Sequence, residues 1–388
     1  MTGNGRRPGT GAGGGLSRRG LLKTIPAVAA APALRPLGAL AQETPRRGGT
    51  LRIGWTDGSS DSSLDPTTYV DSSTYMIAFT LGNCLVELSP DKEPLPELAE
   101  SWESTDGARR WAFRIRRGVS FHDGRPLRPA DVAWSLNRHL AEGSGSSARA
   151  FLEGVTRIAA DGDEVIVEHA TGNADMPVIL ADFHFVVVPE GFSDWANFVG
   201  TGPYVLESYE PGGRFAATRN PDYWKAGAAW VDRVECRTIS DRAARVAALE
   251  AGEVDFIDGV DFLTFDRFKG TPGFVAQETV GSKYVCSVMD TRAAPFADRN
   301  VREALKFSVP RQQIIDKVLG YAIPANDHPI PPTDPFHHDE LPQRPFDPDR
   351  ARFHLREAGL DRLDVTLKAA DVAFTGAVDA GVLMADTA

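Results

Sequence analysis

Four residue groups in this 388-residue chain have types and spacings that invite chemistry. His122-Asp123 could form a general-base pair, but neighbouring residues seldom aim at one point, and Gly124 makes the tripeptide a turn signal. His337-His338-Asp339 offers transition-metal ligands; contiguous ligands rarely converge on one ion, so an exposed turn is expected and no metal site is assigned. Gly200-Thr-Gly202 has the start of a phosphate loop. No third Gly stands at the required spacing, and Pro203 removes an N–H donor, so this segment should shape a crossing between domains. Cys84, Cys236 and Cys286 form no CxxC, which excludes a disulfide framework and a zinc site. Buried free thiols are expected, with a late Cys236–Cys286 bridge left open. No GxSxG, HExxH or carboxylate pair appears, and the eight His form no constellation. No catalytic residue and no cofactor follow.

The N-terminal segment has its own chemistry. Its first forty-one residues carry Arg6, Arg7, Arg18, Arg19, Lys23 and Arg35 and no acid. Ser17-Arg-Arg-Gly-Leu-Leu-Lys23 matches a twin-arginine export pattern, with Leu where Phe is common. A mildly apolar, Ala-rich run from Ile25 to Leu40 follows, and Ala39-Leu40-Ala41 predicts cleavage after Ala41. The alternative is a disordered basic tail. The run is too short and too Pro-interrupted to anchor in a bilayer. Residues 1–41 are therefore expected to be a twin-arginine signal peptide, read by the twin-arginine translocase. Six of the 42 basic residues lie there, so the remainder holds 36 against 53 acidic ones, a formal charge of −17. An acidic chain without a basic stripe argues against nucleic acid and anionic membrane surfaces. What remains is long enough for about two ordinary domains.

The elements that must position any site follow from periodicity. Thr50–Trp55 reads as a strand, and the next helix carries Tyr75, Phe79 and, after Gly82, Leu85 and Val86. Trp111, Phe113 and Ile115 alternate with Ala112, Arg114 and Arg116 after an Asp106-Gly107 turn, as in a half-buried strand. Val132 and Leu136 share a helical face after Pro129. A hairpin is expected from Val155 to His169, turned at Asp161-Gly-Asp163, then a buried strand Phe185–Val188. Val231–Ile239, a helix capped by Ser240 or Asp241 and stopped at Gly252, and Glu253–Ile257 make a βαβ unit. Asp347 and Pro348 start a helix that Gly359 ends; Leu363, Val365 and Leu367 alternate as a strand; Ala377–Ala385 begins a last helix.

Three blocks carry a resemblance. The first is Leu95–Trp102, Trp111–Arg116, Phe121–Gly124 and Ala130–Asn137; the second is Gly200–Tyr204, Arg219–Trp224 and Val231–Ile239; the third is Pro295–Asp298, Asn300–Leu305 and Gln312–Gly320. In this order, from about Gly48 to the last residue, they resemble the extracytoplasmic solute-binding proteins of ABC importers, family 5, the peptide/nickel class. The resemblance implies an α/β, two-lobed type II periplasmic binding fold with an extra domain inserted in the first lobe. By that analogy 42–87 and 191–285 form the first lobe, 88–190 the inserted domain, and 286–388 an incomplete second lobe. Family chains run on past this point, so the sequence is expected to be C-terminally truncated. Ser308-Val-Pro310-Arg311 stands where the family usually shows Ala-Ile-Asp-Arg; Pro310 opens a new helix, so a local change is expected.

Function and site follow from the same resemblance. The chain is expected to be a monomeric, periplasmic (or cell-surface) component that traps a short peptide between its lobes and presents it to the permease. The loop after Asp65-Pro66 has a family counterpart facing the interlobe cleft. Tyr69 would stack on a ligand, Asp71 pair with an ammonium, and Ser72 and Ser73 donate hydrogen bonds; alternatively, Tyr69 is core and Ser72-Ser73 merely begins a helix. Asn326, Asp327 and His328, in a Pro-stiffened loop, are further cleft candidates. Nickel chelates, opines and oligosaccharides are the competing ligands. An exported hydrolase and a solute sensor for a membrane receptor are the competing functions.

Overall fold

Strand β1, Thr50–Trp55, starts a computed structural model that describes residues 46–388 apart from 280, 282, 325, 326, 328, 329, 332–336, 339, 371, 372 and 388. Arg18, Arg19 and Ala41 of the expected signal, and the candidates Asn326 and His328, lie outside the described residues. Helix α1, Ser72–Leu81, follows β1 and stops at Gly82, whose backbone is extended, so Leu85 and Val86, expected on this helix, lie beyond it. β2, Val86–Leu88, and β3, Pro94–Pro96, pair as a small ribbon. Next come β4, Ala99–Thr105, β5, Arg110–Ile115, and helix α2, Pro129–Leu140. The hairpin β6, Val155–Asp161, and β7, Glu164–His169, turns where the sequence placed it, and a short α3, Met176–Ile179, comes after. β8, Tyr204–Glu210, β9, Arg214–Arg219, and β10, Arg233–Thr238, lead to α4, Arg242–Glu250, β11, Phe256–Ile257, and α5, Phe262–Lys269. Described beyond these are α6, Arg299–Ser308, α7, Arg311–Lys317, α8, Pro348–Glu357, and α9, Ala377–Thr387.

Two sheets organise the molecule. One is five-stranded, in the order β11-β1-β10-β9-β8, with β1 parallel to β10 and to β11 and the other pairs antiparallel. Ile53, Val234, Cys236, Phe215 and Ala217 on one face pack against Ile77, Ala78 and Leu81 of α1. The opposite face carries Arg52, Glu235, Arg214 and Arg237, charges that half-buried positions keep near water. The second sheet, β4-β5-β7-β6, is wholly antiparallel. It buries Phe113, Ile115, Val165 and Val167 beneath Val132 and Leu136 of α2. It lies in sequence between β1 and β8, so the chain leaves the first sheet, builds the second, and returns. Gly200 and Gly202 serve that return: a Cβ at Gly200 would stand 2.2 Å from the Leu81 carbonyl oxygen, and one at Gly202 2.4 Å from the Leu81 carbonyl carbon. Close packing on the end of α1, not phosphate binding, explains these glycines.

Several expectations need correction. Phe185–Val188 is buried but forms no strand: Ser135 Oγ donates to the Val188 carbonyl and accepts from its N–H, and Val187 N–H bonds to Asn83 alone. A buried backbone must be satisfied, and single bonds did so here without a ladder. Glu253 and Val254 do not extend β11, because their N–H groups close the end of α4 on the Ala248 carbonyl. Leu363–Leu367 has no strand partner among the described residues, and Val365 and Leu367 are exposed. Cys84 and Cys236 are buried free thiols, whereas Cys286 is exposed and free. Pro310 does open a new helix, as the N-cap of α7.

Candidate functional site

Parallel strands bring their carboxyl ends to one edge, and in open α/β sheets that edge is where ligands bind. Here it is formed by β1, β10 and β11. Trp55 at the end of β1 stacks with Phe256 of β11, ring centroids 6.5 Å apart. The Trp55 indole N–H donates to Asp57 Oδ1 at 3.1 Å and to Ser72 Oγ at 3.0 Å. Ser72 Oγ in turn donates to Asp57 Oδ1 at 2.7 Å, which ties the first turn of α1 to the end of β1. Asp258, after β11, accepts from the N–H and hydroxyl of Thr56 at 2.7 and 2.8 Å. Arg245 of α4 is buried and donates to the carbonyls of Ile239, Asp258 and Gly259, stapling the ends of β10 and β11 together. Burial lowers the Arg245 pKa against the pull of Asp258, and raises that of Asp258.

The loop from Leu64 to Ser73 completes this edge. Asp65 caps a short turn over Pro66–Thr68 and accepts from Arg138 Nη2 at 2.6 Å. The Arg138 guanidinium lies over the rings of Trp134 and Trp195, 5.2 and 4.4 Å from their centroids. Tyr69 has no exposed surface; its hydroxyl donates to the Leu64 carbonyl at 3.1 Å, and its ring stacks on Phe183. Burial pushes its pKa far above the usual phenol range. A ring without an open face cannot stack on a solute, so the geometry favours the core alternative for Tyr69. Asp71 caps α1, accepting from Thr74 N–H at 2.8 Å and from the Ser73 and Ser62 hydroxyls at 2.7 Å each. Burial raises its pKa, but these donors outweigh burial and hold the carboxyl below its usual range. Asp71 and Ser73 are thus committed to the helix start, whereas Ser72 stands at the surface. Val70, 75% exposed, and Tyr75, 51% exposed, flank it.

Sequence patterns alone missed Trp55, Asp57, Val70 and Tyr75. The βαβ unit read from the sequence joins β10 to β11 and does not point to them; only the insertion of β1 between those two strands brings Trp55 and Asp57 to this edge. Patterns also missed a Ser–His–Asp grouping. Ser147 Oγ lies 3.2 Å from His184 Nε2, and His184 Nδ1 lies 2.5 Å from Asp182 Oδ1. The grouping is not poised for catalysis, because His184 Nε2 also lies 2.9 Å from the Tyr69 carbonyl oxygen. A carbonyl only accepts, so Nε2 carries a hydrogen and offers Ser147 no lone pair.

The other candidates occupy structural places. His122 is partly buried, accepts from Gly200 N–H through Nδ1 at 3.3 Å and contacts the Gly202 carbonyl through Nε2 at 3.1 Å; burial lowers its pKa. Asp123 pairs with Arg125, so no His–Asp base forms. Asp327 lies among Arg344, Lys306 and Arg311; burial raises its pKa, but Arg344 and Lys306 outweigh burial and hold the carboxyl below its usual range. His337 Nδ1 meets the Ile330 carbonyl at 2.7 Å. Among the described residues, no three His, Cys, Asp or Glu side chains gather to hold a metal, and no helix is long and apolar enough to cross a membrane.

Comparison with known proteins agrees with this architecture. Residues 93–381 match the family model of bacterial extracellular solute-binding proteins, family 5. Heme-binding protein A of Haemophilus influenzae is 27% identical over 307 residues, 71% of this chain and 56% of that protein. Di/tripeptide-binding protein 1 of Pseudomonas aeruginosa is 26% identical over 346 residues, 81% and 64% of the two chains. The chain thus spans little more than half the length of these relatives. The solved structure of the periplasmic binding protein AgaA from A. tumefaciens R10, in complex with agropinic acid, superposes with a TM-score of 0.75 at 24% identity, covering 87% of this chain and 70% of that one. That likeness fixes the fold as the two-lobed type II periplasmic binding architecture. The chain belongs to the bacterial extracellular solute-binding proteins, family 5.

Proposed function

We propose that this chain is the solute-binding component of an ABC importer, exported to the periplasm, and that its solute is a short peptide. The observation that carries the reading is the edge at the carboxyl ends of β1 and β11, where Trp55, Asp57, Ser72, Val70 and Tyr75 present indole, carboxylate, hydroxyl and apolar surface together. A peptide needs that mixture: polar groups for its backbone and termini, and aromatic faces for its side chains. The di/tripeptide-binding relative supports the same class. The first lobe would comprise 42–87 and 191–285, with 88–190 inserted and a second lobe from 286. Closure of the two lobes would trap the peptide and present both to the permease. Ser72 is the loop residue in the best position to touch solute; Asp71 and Ser73 act by shaping the turn that presents it. The hydrolase alternative loses ground, since the grouping of Ser147, His184 and Asp182 has its imidazole turned to a carbonyl.

Native mass spectrometry of the full-length protein purified from its host tests this reading. A co-purified di- or tripeptide is the expected outcome. A nickel chelate, an opine or an oligosaccharide in its place would sink the peptide assignment and leave the family intact.

A further inference from the structure

We propose that Asp57 selects a solute bearing a lysine-type ammonium, a primary amine on an apolar stem, at the carboxyl edge of the five-stranded sheet. The proposal rests on the peptide reading above for the place of the site, and adds the charge and shape of the side chain that the site takes.

Around this sheet, carboxylates commonly have cations of their own. On the charged face Asp255 pairs with Arg52, Glu253 with Arg237, and both Glu207 and Glu235 with Arg233. At the carboxyl edge Asp261 pairs with Arg242, Asp65 with Arg138, and Asp258 faces Arg245. Asp57 departs from that pattern: among the described residues no Lys, Arg or His reaches ion-pair distance of it. Arg245 is buried and spends its N–H groups on the carbonyls of Ile239, Asp258 and Gly259. The partners of Asp57 are neutral donors. Oδ1 accepts from the Trp55 indole N–H at 3.1 Å and from the Ser72 hydroxyl at 2.7 Å, and Oδ2 accepts from the Ser72 N–H at 3.2 Å. These bonds orient the carboxylate without cancelling its charge, and leave that to a solute cation.

The same bonds choose between cations. A carboxylate offers about four lone-pair sites. Both on Oδ1 are taken, and one on Oδ2 remains among the described residues. A single opening suits an ammonium, which bonds as a point charge; a guanidinium fork needs both oxygens. The surroundings then specify the stem. Trp55 meets Asp57 with its indole N–H and stacks its ring on Phe256, which is 48% exposed. Tyr75, one helical turn beyond Ser72, is 51% exposed. Such surface covers a run of methylenes and leaves the charged tip to the carboxylate, while the rings attract the cation. A peptide α-ammonium has no such stem, because its carbon belongs to the backbone. The arrangement therefore reads a side chain and not a terminus.

Calorimetric titration of the full-length protein with Ala-Lys-Ala, Ala-Arg-Ala and Ala-norleucine-Ala tests this, since the three differ only in the central side chain. The lysine peptide should bind roughly tenfold more tightly than the norleucine peptide. The arginine peptide should fall between them, because its stem still stacks on the rings. Asp57→Asn should bring lysine and norleucine within about twofold of each other. Ser72→Ala frees a lone pair on Oδ1 and should raise arginine relative to lysine. Equal affinity for lysine and norleucine in the wild type overturns the proposal whether or not the variants fold, and so does a lysine preference that survives Asp57→Asn. An arginine-to-lysine ratio that fails to rise in Ser72→Ala overturns the choice of ammonium over guanidinium. If none of the three peptides binds, the peptide reading fails by itself, and cadaverine, an ammonium on an apolar stem without a peptide, decides the charge. Saturable cadaverine binding that Asp57→Asn abolishes supports the role of Asp57; binding that survives the substitution, or no binding, overturns it.

Discussion

The segment from β1 to β11 and the segment after residue 270 are written in the same hydrophobic alphabet, yet they fold differently. In the first, apolar alternation is converted into ladders: Trp111, Phe113 and Ile115 of β5 are buried because β4 and β7 pair with that strand on either side. In the second, Leu363, Val365 and Leu367 alternate just as well, and Tyr284–Val288 has strand composition, but neither has a strand partner among the described residues. Val275 and Val288 are 93% and 88% exposed there. Burial in that segment is confined to short helix contacts such as Val301, Ala304 and Phe307 of α6 and Ala351 of α8. A strand pattern is thus a conditional instruction. It specifies which face to bury once a neighbour supplies hydrogen bonds, and it specifies nothing without one.

The sharpest way to break this contrast is to remove a side chain on which the first segment depends. Phe113 has no exposed surface and sits between Trp111 and Trp102, with ring centroids 6.0 and 6.3 Å away. Phe113→Ala should cost about 3–5 kcal/mol in urea denaturation, the transfer term plus an unfilled cavity. A loss below about 1 kcal/mol would mean that the antiparallel unit is as loosely packed as the segment after 270.

A second test uses a buried charge in the same well-packed region. Glu97 is 4% exposed, its carboxylate accepting from Asn83 Nδ2 at 2.6 Å and from Cys84 N–H at 3.1 Å. Burial pushes its pKa from 4.5 to about 7; Glu87 adds to the rise, and Asn83 and Lys225 moderate it. The native state therefore binds more protons than the unfolded chain between those values, so stability falls as pH rises from about 4.5 to about 7 and stays lower above it. Glu97→Gln should remove that slope, worth about 3 kcal/mol at most by linkage. A slope that survives the substitution would assign the titration to another group.

How much of this was legible beforehand depends on the range of the forces involved. Caps, turns and helix faces are local, and Asp347-Pro348, Asp106-Gly107 and the Val132–Leu136 face all read correctly because each is decided within a few residues. For the candidate site, the sequence named a loop but not its outward-facing residues. The loop after Asp65-Pro66 does reach the edge where parallel strands end, yet which of its residues faces out was not readable. Tyr69 turns inward because Phe183 and His184, over a hundred positions away, supply its partners. Trp55 and Asp57 acquire their meaning only when β11 arrives beside β1. Neither fact is encoded in a short window of sequence.

The smallest effect belongs to the unpaired pattern. Val365 is 44% exposed in a segment that shares its alternation with β7, where Val165 and Val167 are fully buried. If alternation by itself conferred stability, the two should respond alike to truncation. The geometry says otherwise: Val365→Ala removes methyl groups that already meet water, so the change in unfolding free energy should stay within about 0.5 kcal/mol. Val165→Ala, which empties a closed position between α2 and the sheet, should cost more than about 1 kcal/mol by the same measurement. Equal losses at both positions would show that Leu363–Leu367 is packed in solution, and the contrast between the two segments would dissolve.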